Sequence, residues 1–435
     1  MAIVPVARRW HACSSLGLLF AVLLLAGCSS SHFDPPQMQG SPAMVDDGGK
    51  QRLWVLSKQE EQRQVGVGGG AHNTENWRTD TFFHFQVQAF DPIAAKPLWN
   101  KRLLTLGDPD AKGTQPSRVI GSAVDARLLG QDGALVWLLI GDAPFAVNAA
   151  DGSIVADGDK LQQANPELKG LLPSEAKHYG FDRGLVLMTA DARQFVVRGP
   201  EQKAVAWTPP APPAEPEGKL QANGTHELVP MLPLGEMQVR QVTLDGQWLG
   251  LYSEKEAADA GNDDWGRKLR YPYQVLDEGS LARRTFWRAK IVNAQRFDDK
   301  FQRLSELTPI DGAPVLLKGR FQTAGFTGRP LVLESPASVL VWHSTRIDDA
   351  GRMALTRLGA DLKPLWQTEL PLSETDMVRR IRTWRLSDHF VVVGELQSEN
   401  AGVTSRVPQL VSVDLKSGQM RSSELTGVEA ASQKN

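Results

Sequence analysis

Leu410-Val411-Ser412-Val413-Asp414, followed by Lys416-Ser417-Gly418-Gln419-Met420, is the stretch from which the fold of this chain can be read. Its first half is a short apolar run of strand-forming residues. Aspartate and glycine then mark a tight turn, and a second strand starts at once. The same unit returns as Val87–Asp91 with Lys96–Trp99, and as Phe145–Asn148 with Asp151–Val155. Two further copies are Phe195–Gly199 with Ala204–Trp207, and Leu355–Gly359 with Lys363–Trp366. Weaker copies lie near Leu249–Glu254 and Arg296–Leu304. The turns centre near positions 91, 148, 198, 250, 298, 360 and 414, a spacing of roughly 50 residues.

A period of about 50 residues holds four short strands, the content of one β-propeller blade. The expected fold is therefore all-β: a β-propeller of about seven blades, or eight. The early strand Arg52–Leu56 is placed to complete the last blade, so that no sheet edge is left open. The competing arrangement is a pair of β-sandwiches with evenly spaced hairpins. Other short apolar runs fit strands as well, among them Ala134–Ile140, Leu185–Met188, Trp248–Tyr252 and Val339–Trp342. Helical periodicity is confined to Leu161–Leu172 and Ser253–Ala260, which read as insertions.

Val413-Asp414-Leu415-Lys416-Ser417-Gly418 resembles the Asp-x-x-Ser/Thr-Gly turn of the quinoprotein-like (PQQ-type) propeller repeat. Asp91 with Trp99, and Asp361 with Trp366, are similar to the Asp turn and docking tryptophan of that repeat. The resemblance is loose, spans about five turns, and implies the fold alone. It implies that Trp99, Trp207 and Trp366 pack between neighbouring blades as core residues and do not form a cofactor box.

At the N-terminus Arg8 and Arg9 precede an apolar run, Leu16–Ala26, too short to span a bilayer. Leu25-Ala26-Gly27-Cys28 follows directly and resembles the bacterial lipobox, in which the cysteine is acylated and becomes the first mature residue. The resemblance implies export by the general secretory route, cleavage before Cys28, and a membrane anchor of lipid, palmitate included, on Cys28. Ser29 in place of aspartate implies sorting to the outer membrane, on its periplasmic side. The expected organisation is a lipoprotein signal peptide at 1–27, a flexible tether at 28–50, a propeller at 51–425 and a disordered tail at 426–435. The tether reading rests on the Ser, Pro, Gly and Asp content of Ser29–Lys50.

Composition excludes several chemistries. The only cysteines are Cys13 and Cys28, so a processed body holds no thiol nucleophile, disulfide or iron–sulfur ligand. The chain is slightly acidic, which argues against nucleic acid as a partner. Eight histidines are scattered without metal-ligand spacing. Asp108-Pro109-Asp110 opens like a calcium loop, but Lys112 and Val119 stand where oxygen ligands belong. Gly66–Gly70 lacks the Gly-Lys-Ser/Thr of a phosphate cradle, and no Gly-x-Ser-x-Gly elbow occurs. No catalytic set, metal or cofactor is expected.

Two segments carry aromatic and arginine residues of the kind that favour interfaces. Trp265 and Arg267 lie in a charged insertion. Arg380, Arg382 and Trp384 alternate along a strand and share one face. These five are the candidate partner contacts. The function expected is a non-enzymatic, membrane-anchored module that binds or scaffolds another envelope component. The alternatives are a propeller enzyme (a quinoprotein-type oxidoreductase, or a hydrolase or lyase) and a sensor of small ligands.

Overall fold

A computed structural model describes residues 31–67, 76–107, 123–209, 241–254, 256–257, 283–296, 299–323, 330–346, 351–373, 381–400 and 403–426. These form an all-β molecule of antiparallel sheets.

In the first sheet β1 (Ser31–Phe33) and β2 (Gln37–Asp47) share one edge of β3 (Lys50–Val67), which pairs with β4 (Asn76–Asp91) and then β5 (Lys96–Leu106). The second runs β6 (Ala126–Asp132), β7 (Leu135–Ile140), β8 (Ala143–Asn148), β9 (Ile154–Asp157). The third follows a short helix, α1 (Gly158–Ala164), whose first turn is capped by the Asp157 carboxylate accepting from the Lys160 amide. It runs β10 (Tyr179–Phe181), β11 (Leu185–Met188), β12 (Gln194–Arg198), β13 (Lys203–Ala206). The fourth unit is β14 (Gln241–Leu244), β15 (Gln247–Tyr252), β16 (Arg283–Arg296), β17 (Asp299–Pro309).

In the fifth, β18 (Leu316–Phe321) and β19 (Val332–Glu334) share an edge of β20 (Ala337–Ser344), followed by β21 (Arg352–Gly359) and β22 (Pro364–Ser373). A short β16–β18 pairing joins units four and five into one nine-stranded sheet. The last sheet is β23 (Arg382–Leu386), β24 (His389–Asn400), β25 (Val403–Asp414), β26 (Met420–Glu424).

Among the described residues five pairs of units share a core, and none joins the third unit to the fourth. β7, LVWLLI, is buried at every residue because both its faces are covered. Val136, Leu138 and Ile140 join a core with Trp54 and Leu56 of the first sheet, while Trp137 and Leu139 join one with Leu185 and Val197 of the third. That explains why the run reads as continuously apolar and not alternating. Similar cores join the fourth unit to the fifth and the fifth to the last. A further core holds Leu53, Val55 and Phe90 of the first sheet with Val391, Val393, Leu410 and Leu425 at the C-terminal end. The two ends of the chain thus share one core.

Three expectations change. The described residues carry six four-stranded units where turn spacing gave seven. Five of the strong turns each join the third and fourth strands of a unit, and Arg296–Leu304 marks the sixth such hairpin. The weak copy at Leu249–Glu254 is strand β15 and the residues after it, inside the fourth unit, so it was counted twice.

The tether at 28–50 is largely absent. Residues 31–33 and 37–47 are strands on β3, with Pro42 and Val45 buried and a bulge between Gln39 and Ala43 that accommodates Gly40 and Pro42. Turn-like composition here belongs to an interrupted edge strand. The helix expected at Leu161–Leu172 starts earlier, at Gly158, and gives way to a short 3₁₀ turn at Pro166–Leu168.

Candidate functional site

Two tryptophans, Trp99 and Trp366, each bridge neighbouring units. Trp99, on the fourth strand of the first unit, donates from Nε1 to the carbonyl of Ala150 in the next unit's turn at 3.0 Å. Trp366 does the same to Leu415 of the last unit at 2.9 Å. Each indole lies against a glycine in the left-handed region: a Cβ on Gly152 would fall 2.5 Å from Trp99, and one on Gly418 2.8 Å from Trp366. Only glycine fits both the φ of +73° and the contact. The Asp414 carboxylate builds its turn by accepting from the amides of Lys416 and Ser417 at 2.9 and 2.7 Å. Trp207 differs. Its Nε1 donates to Asp182 of its own unit at 3.0 Å.

Of the candidate contacts, Arg382 and Trp384 are described, and both are half-buried beside the join between the first and last sheets. Trp384 pairs in register with Val391 and packs on the core shared by the first and last sheets. Arg382 reaches Ser41 of β2 at 3.4 Å. Their common face, as alternation requires, is turned toward the first sheet and stays partly exposed. Cys28, Trp265, Arg267 and Arg380 lie outside the described residues, as does the loop at Asp108–Asp110.

The same join holds a polar cluster that sequence reasoning missed. His84 on β4 is 3% exposed, and its Nε2 lies 2.8 Å from Glu61 Oε2 on β3. Its Nδ1 lies 3.0 Å from Thr105 Oγ1 on β5. Arg63 donates to Glu61 from Nε and Nη2 at 3.2 and 3.0 Å, and its guanidinium sits 4.6 Å from the Phe82 ring centre. Phe33 of β1 covers the histidine, with ring centres 6.1 Å apart.

Burial tends to raise the Glu61 pKa, but hydrogen bonds from His84, Arg63 and Ser31 outweigh it and hold the carboxyl below its ordinary value. Burial lowers the His84 pKa, and Arg102 adds to that against the pull of Glu61. A neutral imidazole beside a carboxylate places the proton on Nε2, and Nδ1 then accepts from the Thr105 hydroxyl. That order of groups would suit proton abstraction from Thr105. In this geometry, however, the ring is sealed beneath Phe33, so the network ties β1, β3, β4 and β5 together.

From His84 the polar strip continues along the sheet. Ser57, Gln86 and Gln88 are buried, and Asn100 donates to Gln86 at 2.8 Å. Ser57 shares the face of Val55, Gln88 pairs with Val55, and Asn100 pairs with Gln88. Across the join, Ser412 pairs with Val391 and Ser423 with Leu410. Five of the eight buried side-chain atoms without a hydrogen-bond partner among the described residues belong to these positions: Ser57, Gln88, Asn100, Ser412 and Ser423. The core where the chain ends meet is thus apolar at one end and polar at the other.

A second buried histidine lies on β20 of the fifth unit. His343 Nε2 sits 2.8 Å from Thr356 Oγ1, and burial lowers its pKa. Both line a pocket of about 300 Å³ whose walls include Leu316, Leu358 and the exposed Val315 and Gln367. Among the described residues no group of three or more acidic, histidine or cysteine side chains could hold a metal ion. No helix there is long and apolar enough to cross a membrane.

Among the described residues, five of the eight exposed large apolar side chains stand near the start of a fourth strand, each in a different unit: Leu98, Ile154, Val205, Leu365 and Met420. This recurrence comes from the repeat itself, since the apolar residue precedes or neighbours the docking position. No known family model matches the chain, and no curated protein is significantly similar to it.

Proposed function

We propose that this chain is a lipid-anchored β-propeller on the periplasmic side of a bacterial outer membrane, where it serves as a binding or scaffold module for another envelope protein. The blades are the six four-stranded units. The observation that carries the reading is the core shared by the first and last sheets, because it makes the two ends of the described chain neighbours, as a closed ring of blades requires. The Trp99 and Trp366 docking contacts support kinship with the quinoprotein-like repeat at the level of fold.

The ring offers a partner its repeated apolar residues, Leu98, Val205 and Leu365 among them. The Leu25–Cys28 motif supports the anchor. Two measurements test the reading. Mass spectrometry of the mature N-terminal peptide is expected to find residues 1–27 removed and acyl chains on Cys28. Photo-crosslinking residues placed at Leu98, Val205 and Leu365 in living cells are expected to capture one discrete envelope protein. An unmodified Cys28, or no adduct at any of the three positions, would overturn the corresponding half.

A further inference from the structure

We infer that the end of the first sheet where β1 enters is held directly against the phospholipid headgroups, so that the anchored body has one fixed orientation. The inference rests on the lipid anchor proposed above. Cys28 is three residues from Ser31, the first residue of β1. Three residues span at most about 11 Å when fully extended. Ser31 pairs with Arg63, and β3 runs four residues further, to Val67, before β4 returns from Asn76. Four strand residues measure about 14 Å. The hairpin therefore projects beyond Ser31 about as far as the anchored backbone can reach.

β1 is antiparallel to β3, so the chain leading back to Cys28 enters from the side of the hairpin's end. With lipid on Cys28, the body cannot stand clear of the bilayer; that end of β3–β4 must meet the headgroups. Its composition suits this. Val65, Val67 and Trp77 occupy consecutive register levels there, Gly66 pairing with Trp77, and no acid occurs from Gln62 to Val67 or from Asn76 to Thr79, Glu75 standing alone between the two strands. Valine and tryptophan are tolerated or favoured at a membrane interface, where carboxylates are not. Phe33, 46% exposed, adds an aromatic ring two residues into β1.

The opposite end of the same sheet carries the β2–β3 turn at Gly48 and Gly49 and the start of β5 with exposed Leu98. In a ring of like units, the other fourth-strand starts lie at that end too, facing away from the membrane and open to a periplasmic partner.

The test uses the full lipidated protein, whose body has no cysteine of its own apart from the acylated Cys28. Single cysteines at Gln64 and at Lys50, both exposed, mark the two ends of β3. Each is labelled with an environment-sensitive fluorophore and placed in phosphatidylethanolamine–phosphatidylglycerol vesicles that carry a headgroup nitroxide lipid. Quenching at Gln64→Cys is expected to exceed that at Lys50→Cys severalfold. Equal quenching at both sites, or stronger quenching at Lys50→Cys, overturns the inference when mass spectrometry shows Cys28 acylated. Absence of acylation overturns the proposed anchor itself and this inference with it.

Discussion

At the scale of single residues, the chemistry of the chain is concentrated in groups that burial has altered. His84 and His343 both have folded-state pKa values below the ordinary histidine value, chiefly through desolvation. The unfolded chain therefore binds protons at these sites at a higher pH than the folded one does. Stability rises with pH across that window, and acidification from about pH 7.5 to 5.5 is expected to lower the melting temperature. Glu61 acts in the same direction at lower pH. Its folded pKa is depressed, so its contribution is present above the ordinary glutamate pKa and is lost as pH falls through the folded value.

His84→Gln should flatten the loss between pH 7.5 and 5.5, and His84→Gln with His343→Gln should flatten it further. Melting curves at the two pH values decide the matter; equal slopes in wild type and double variant would remove the histidines as its source. Glycine at the docking turns is open to a similar test. Gly418→Ala combines an unfavourable φ with overlap on the Trp366 ring and should cost about 2–4 kcal/mol. Gly48→Ala shares the positive φ, meets nothing within 4 Å, and should cost about 1 kcal/mol. Urea denaturation of both variants separates the contact from the backbone effect.

At the scale of elements, the hairpin between third and fourth strands is the unit from which the fold is made. β25–β26 shows why. Asp414 closes the turn, Gly418 leaves room for an indole, and Leu415 lends its carbonyl to Trp366. Trp366→Phe keeps most of the apolar contact but leaves the Leu415 carbonyl without that donor. A loss of about 1–3 kcal/mol is expected, read by urea denaturation. No loss would mean that ring packing alone carries the dock.

These hairpins were legible in sequence because each packs its signals into about twelve residues. Elements defined by distant partners were not. β2 has the composition of a linker, and only its register on β3 makes it a strand. The inward face of Trp384 and Arg382 depends on the first sheet lying opposite, more than 300 residues away in the chain. The Glu61–His84 pair is 23 residues apart and diagonal across a long hairpin, with Gln59 directly opposite the histidine. Fixing the β3–β4 register would have exposed it, since residues 59, 61 and 84 then share a face. The turn at 296–299 was visible but was counted together with β15 as two units, because a 14-residue strand leaves no short-range punctuation.

At the scale of the whole molecule, the join between first and last sheets makes neighbours of units that lie at opposite ends of the sequence. In a row of stacked units each contacts only its neighbours, and the two ends are energetically independent. In a ring, the ends are neighbours. Val55 of the first sheet and Val391 of the last belong to one core cluster, whereas Leu185 lies in the core between second and third units.

Val55→Ala and Val391→Ala should each destabilise by about 1–3 kcal/mol, as buried large-to-small changes do. The double variant should depart from additivity by about 0.5 kcal/mol or more, since the two side chains belong to one core cluster. Val55→Ala with Leu185→Ala should be additive to within about 0.5 kcal/mol, because no cluster contains both. Double-mutant cycles by urea denaturation give both numbers. Coupling confined to the first pair follows from closure through the ends of the chain. Additivity of both pairs would mean that the shared core contributes little in solution, and that the polar strip from His84 to Asn100 leaves the join open.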